Sequence, residues 1–421
     1  MATGDIRLRG AKLAIAGLVL FAIIAWLSSS WRPAAKVHEE ARLSATIADP
    51  TRLRGLKIDY ARLDARIDEL MQRKDMVGLS VAVVEQGRLT FAKGYGTTIA
   101  GGGEAVTPDT VFRWASVSKG VASTLVAKLV AGGKLDFVHS PAYYGSSLKL
   151  FDHGEERITL IDLLSHRLGL PKNAYDDRLE DGQSPRDIRA SLAEVKPVCP
   201  PDSCHSYQNV AFDTVSEIVA HATGRSYADM VRDTLFRPLG MTSASVGSAG
   251  LVTAKQWARP NHGQRPLNLA EAYYRIPAAA GVNSDIIDLA RWMTAQMGET
   301  PAVLSPALLN TIHKPRVATP RPYGASPFGR ALSNAGYGLA WRSFNFRGHR
   351  LVGHSGAVSG YRSTLIFDPQ AQAGIAILWN SDSSIPFRLP GEVFDAYYGE
   401  PFTDLLELGD EPVRAAARSE L

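Results

Sequence analysis

Apolar residues change their spacing several times along this chain, and each change marks an element. Between residues 60 and 73, Leu63, Ile67 and Leu70 recur three and four positions apart, which predicts a helix with one buried face. Two strand-like runs follow at residues 79–85 and 89–95, separated by Gln86-Gly87-Arg88, the composition of a hairpin turn. Val117, Val121, Leu125 and Leu129 then recur every four residues, and Gly132-Gly133 can end that helix. From Ser140 to Pro327 helical stretches dominate, among them residues 210–222, ended by Gly224, and residues 286–297. Strand-like runs return at 350–353, 361–367 and 374–379, and residues 392–398 read as a closing helix. Strands at both ends around a helical insert predict an α/β fold: one sheet built from the two ends, with a groove against the helical lobe. There is no internal repeat.

The first residues follow a different pattern. Arg7, Arg9 and Lys12 precede an almost unbroken apolar run from Leu13 to Leu27, followed by Ser28-Ser29-Ser30-Trp31. Such a run approaches the length of a membrane span, and positive charge before it predicts a cytoplasmic N-terminus with the rest exported. Residues 1–31 are therefore expected to be a single-pass signal anchor, leaving the globular part on the periplasmic side. The alternative is a signal peptide cleaved after Ser30 or Ala35, giving a secreted protein. Residues 32–58 read as a tether, 59–400 as one globular domain and 401–421 as a tail.

Composition narrows the function. A 421-residue chain with 45% hydrophobic residues can bury a large core. Its net charge of +4 is modest and the basic residues form no stripe, which argues against nucleic acid as a partner. There is no His-Glu-x-x-His, and neither metal nor cofactor is called for. The only two cysteines, Cys199 and Cys204, bracket Pro200-Pro201-Asp202-Ser203. In an exported chain they read as a small disulfide loop contributing about 2 kcal/mol. Unlinked thiols, or a zinc site that adds His205, are the alternatives.

The most informative chemistry is Ser116-Val117-Ser118-Lys119. A serine and a lysine three residues apart share a helical face. A serine hydroxyl needs a base to become a nucleophile, and a lysine in a dry pocket can lose its proton and serve as one. The spacing alone is not specific: Ser146-Ser147-Leu148-Lys149 repeats it without a helical context. Two later motifs single out Ser116, namely Tyr207-Gln208-Asn209 and His354-Ser355-Gly356. In order and separation the three motifs resemble the serine beta-lactamase and penicillin-binding-protein superfamily, which uses Ser-x-x-Lys, Tyr-x-Asn and Lys/His-x-Gly. Leu163-Leu164-Ser165-His166 before Gly169-Leu170-Pro171, and Phe236-Arg237-Pro238-Leu239-Gly240-Met241, agree with it. The resemblance runs from about Asp59 to Gly399 and is greatest to the class C beta-lactamase, DD-peptidase and related esterase branch.

That resemblance implies Ser116 as nucleophile, Lys119 as base and Tyr207 as proton carrier. Asn209 and His354 would contact substrate, with Gly356 and Ala357 beside them, and the backbone N–H groups of Ser116 and Ala357 would form an oxyanion hole. Capping of the helix from Val210 explains Asn209 as well as catalysis does. His354 stands where the family has lysine or histidine. With an ordinary pKa of about 6.5 it would be only partly charged, weakening carboxylate and hence beta-lactam recognition. Gly353-His354-Ser355-Gly356-Ala357 nearly matches a Gly-x-Ser-x-Gly elbow, but a strand-like run follows where that elbow needs a helix. No Glu-x-x-Leu-Asn segment follows Tyr207, so deacylation would fall to Tyr207 and Lys119. The expected activity is amide or ester hydrolysis through an acyl-enzyme, on a small molecule or a peptide or peptidoglycan-type substrate. A beta-lactamase or a slow-turnover penicillin-binding module are the alternatives.

Overall fold

A computed structural model describes residues 55–408. The charged flank and apolar run of residues 1–31, most of the 32–58 tether and all but the first residues of the 401–421 tail lie outside that range. Among the described residues no helix is long and apolar enough to cross a membrane.

Among the described residues the main sheet has nine strands: β1 (Gly78–Glu85), β2 (Arg88–Ile99), β3 (Gly102–Ala105), β4 (Val317–Ala318), β5 (Leu332–Tyr337), β6 (Arg342–Phe346), β7 (His349–Val358), β8 (Tyr361–Asp368) and β9 (Ala373–Trp379). Their order is β3-β2-β1-β9-β8-β7-β6-β5-β4 and the pairings are antiparallel. The sheet is thus built from both ends of the sequence and joined where β1 meets β9, with Leu79 opposite Trp379 and Val83 opposite Ile375. Gln86 and Gly87, both at positive φ (54° and 70°), form the two-residue turn between β1 and β2. Arg347 and Gly348 do the same between β6 and β7. Positive φ at both turn positions gives the twist that antiparallel strands need, and Gly supplies one of them without strain.

Strand alternation divides the core. Leu79, Val81 and Val83 face one way, with Ile375 and Ile377, against helices α1 (Tyr60–Met71) and α5 (Leu389–Tyr398). Ala82 and Val84 face the other way, with Ala376 and Leu378. That face is covered by α2 (Ser118–Ala131), α3 (Thr214–Thr223) and α4 (Ile286–Gln296). Both faces are covered, which is why β1 is buried along its whole length.

Two of the boundaries that differ from the sequence reading lie beside the cavity. The helix expected from Val210 starts at Thr214, and residues 210–213 are turns, with the Asp213 N–H bonded to the Asn209 carbonyl at 3.1 Å. The strand expected at 350–353 runs on to Val358 and carries the whole His354–Ala357 segment.

Candidate active site

Ser116 is fixed by a small second sheet beneath the main one. Phe112 and Arg113 pair with Ser284 and Asn283, the Trp114 N–H donates to Val282 at 2.9 Å, and the Trp114 indole donates to Ser284 at 2.9 Å. The chain then turns sharply. Ala115 has φ 48°, a left-handed conformation that costs an alanine on the order of 1 kcal/mol. Ser116 lies in the single 3₁₀ turn Ala115–Val117 leading into α2, where its hydroxyl makes no capping bond.

Lys119 lies one turn on, fully buried. Its Nζ is 2.7 Å from Asn209 Oδ1, 3.2 Å from the Ala279 carbonyl and 3.3 Å from Ser116 Oγ. The Tyr207 ring centre is 4.7 Å away. Burial lowers the lysine pKa to about 7, against opposing pulls from Asp176 and Asp213. Neutral Lys119 would have two N–H groups for the two carbonyl oxygens and a lone pair for the Ser116 hydroxyl.

Asn209 does not cap a helix. Its Oδ1 accepts from Lys119 and its Nδ2 donates to Asp176 Oδ2 at 2.6 Å. Tyr207 faces the same space; burial pushes its phenol pKa up, and a hydrogen bond with Ser116 offsets part of that rise. A phenol, rather than a phenolate, is therefore the resting form. His166 brackets Tyr207 from behind: its carbonyl accepts from the Ser206 N–H at 2.9 Å, its Nδ1 accepts from the Gln208 N–H at 3.2 Å, and its ring lies 4.4 Å from the Tyr207 ring. Its φ of 58° lets one residue offer all three contacts.

His354 lies on β7 past Gly353, where pairing with β6 ends and the strand edge turns to Ser116. The expectation of a partly charged imidazole does not hold. Only 2% of the residue is exposed, and burial takes its pKa well below 6.5. Nδ1 lies 2.7 Å from the Ser355 carbonyl and so donates, and Nε2 accepts from the Tyr337 hydroxyl at 2.9 Å. Both nitrogens are spent on the protein. Arg342, on β6, lines the same cavity, with its guanidinium 5.6 Å from the centre of the Tyr337 ring.

Gly356 is where β7 crosses the Ala115–Val117 turn. A Cβ there would lie 2.2 Å from the Trp114 carbonyl, 2.4 Å from Ser363 Oγ and 2.9 Å from the Ser116 nitrogen. Gly356→Ala is expected to destabilise the protein by about 2 kcal/mol through overpacking. Turnover should drop by roughly two orders of magnitude, because the strand must move off Ser116. Thermal melts and steady-state kinetics on the same preparation check both.

Ser116, Tyr207, Asn209, His354, Gly356 and Ala357 line one cavity of about 570 Å³, with Lys119 directly behind Ser116. The sequence reading had no signal for Asp176, Tyr337 and Arg342, and quoted His166 without a role. Ser146 lies elsewhere, with Lys149 paired to Glu155. Ser355 borders the cavity, but its hydroxyl is shared with Tyr323 at 2.9 Å and Thr364 at 3.1 Å, and β7 continues past it as a strand. Cys199 and Cys204 form a disulfide, which leaves no thiolate for zinc beside His205. Among the described residues, the donors near enough to share a metal ion are His153, Glu155 and Glu156, outside the cavity.

Comparison with known proteins agrees with this geometry. The chain is 28% identical over 359 residues to the unguisins hydrolase ungD' of Aspergillus campestris, covering 79% of this chain and 63% of that protein. It thus spans less than two thirds of that relative. It is 27% identical over 364 residues to penicillin-binding protein 4 of Amycolatopsis lactamdurans, covering 83% and 90%. Its fold matches the octameric penicillin-binding protein homologue of Pyrococcus abyssi with a TM-score of 0.73 at 23% identity, over 82% of this chain and 78% of that one. The beta-lactamase family profile matches residues 63–399, the span that contains the sheet, the helical lobe and the cavity between them, and the chain therefore belongs to the beta-lactamase family of serine beta-lactamase and penicillin-binding-protein-like proteins.

Proposed function

We propose that this protein hydrolyses an amide or ester through an acyl-enzyme on Ser116. The observation that carries the reading is Lys119: a buried amine in contact with the serine hydroxyl, with its pKa brought down to about 7. In the proposed cycle neutral Lys119 takes the Ser116 proton as Oγ attacks the carbonyl carbon. The N–H groups of Ser116 and Ala357 hold the oxyanion. Tyr207, as a phenol, passes a proton to the departing amine or alkoxide while Lys119 returns one to it. Water then attacks the ester, activated by the same pair, and Ser116 leaves as the free hydroxyl.

A cavity of about 570 Å³ has room for a peptide-sized acyl group. The relatives named as a hydrolase and as a penicillin-binding protein favour a peptide or peptidoglycan-type amide, with small esters next. With His354 neutral, the cations lining the cavity are Lys172, Arg321 and Arg342, and Arg342 is the one of these whose charge is felt at His354. Arg342→Gln should therefore raise KM roughly tenfold or more for carboxylate-bearing substrates, the value of one charge-assisted contact, and change neutral esters little. A hydrolysis panel of esters, D-amino-acid peptides and a chromogenic cephalosporin tests the function. Mass spectrometry of the quenched reaction should find the acyl group on Ser116. Adduct that forms and persists without turnover would favour the penicillin-binding module instead.

The reading also includes export. The basic flank and apolar run of residues 7–27 support it, as does the Cys199–Cys204 disulfide, a bond that persists in oxidising compartments.

A further inference from the structure

We propose that Asp176 is a positioning residue for the Ser116–Lys119 pair: its carboxylate fixes the orientation of the Asn209 amide and places a compensating negative charge beside the buried amine. The inference rests on the roles of Ser116 and Lys119 proposed above and adds what sets them.

Asp176 opens the short helix Asp176–Glu180 and is 8% exposed in the cavity wall. Its Oδ2 accepts from Asn209 Nδ2 at 2.6 Å and from the Tyr273 hydroxyl at 3.3 Å. Burial raises the Asp176 pKa to about 6, so above that pH it is an ionised carboxylate that only accepts, and the Asn209 amide must turn its NH₂ towards it. Oδ1 is then left for Lys119 at 2.7 Å. A flipped amide would set NH₂ against an ammonium and a carbonyl against a carboxylate, so both contacts would be lost together. Asn173 Oδ1, 3.4 Å from the same NH₂, is a weak substitute.

Asp213 also pulls on the buried amine, but among the described residues no other charged group both does so and holds the Asn209 amide. Asp213, at the start of α3, is held by Arg189 at 3.1 Å and by the Ala278 N–H at 2.8 Å. Tyr207 is a phenol, and His166 and His354 are kept neutral by burial. Glu180 meets Asp176 only through the shared Tyr273 hydroxyl. The second oxygen of Asp176 is buried without a hydrogen-bond partner among the described residues.

Asp176→Asn and Asp176→Glu in the full chain, assayed on a neutral ester across pH, give the first readout. Removing the charge should move the acid limb of kcat/KM down by roughly half a unit to one unit, since Lys119 loses a negative neighbour. The loss of amide orientation should lower kcat roughly tenfold with KM little changed. Asp176→Glu should return the limb towards its wild-type position. The second readout is independent of catalysis: Asp176→Asn should lower Tm when Lys119 is present and lower it less in a Lys119→Met background. A limb that stays or moves up, with equal Tm losses in both backgrounds, overturns the proposal. If the wild type shows no limb near pH 7, the reaction scheme is wrong, and the Tm cycle alone still decides whether Asp176 and Lys119 are coupled.

Discussion

Ser116→Ala should lower kcat/KM by about four orders of magnitude or more, the loss seen when a nucleophile of this kind is removed. Covalent labelling by a cephalosporin or a fluorophosphonate should vanish with it. The same treatment of Ser146→Ala and Ser355→Ala should label normally. The contrast comes from what surrounds each hydroxyl. Ser116 Oγ has a buried amine at 3.3 Å and makes no capping bond that would hold it back. Ser355 Oγ has Tyr323 and Thr364 for neighbours, and a phenol and an alcohol are poor bases at neutral pH. Ser146 is not part of the cavity lining, and the lysine three residues on is paired with Glu155 at 3.2 Å. Intact-mass spectra of the three variants after equal exposure decide the matter. An adduct that survives the loss of Ser116 removes the nucleophile assignment.

Lys119→Met should lower kcat/KM by roughly two to four orders of magnitude, the range for a positioned general base. In the wild type kcat/KM should rise with pH through about 7 as Lys119 loses its proton, and then level off. The variant should lose that limb. Stability should change in a related way. An unfolded lysine keeps its proton to about pH 10.4, whereas the folded one gives it up near 7. Between those values the unfolded chain binds more protons, so folding becomes more favourable as pH rises. Below about 7 the penalty of burying the charge is felt in full. The wild type should therefore gain Tm relative to Lys119→Met between pH 7 and 10. Parallel melts at several pH values measure this, and a constant difference would mean that burial does not set the protonation of Lys119.

The sequence by itself determined what depends on near neighbours. Ser116 and Lys119 share a helical face because three residues make most of a turn, and the Val117, Val121, Leu125, Leu129 spacing declared that helix. The same local logic gave α1, α4, the β1–β2 hairpin and a sheet contributed by both ends of the chain. It missed β3, β4, β5 and β6. Leu332–Tyr337 shows no alternation and is buried only at Leu332, Gly336 and Tyr337, so pairing with β6 makes it a strand.

Protonation and partnership were decided by the tertiary structure alone. Lys119 and His354 are ordinary titratable side chains on paper, and what neutralises them is the removal of water by α3, the Pro277–Ala280 helix and β5, none of which is adjacent in sequence. The choice between capping and catalysis for Asn209 was open in the sequence. Capping falls because Asp176, 33 residues away, and Lys119, 90 residues away, meet at that one amide. A side chain's charge depends on the dielectric and the partners around it, and those exist only once distant segments have packed together.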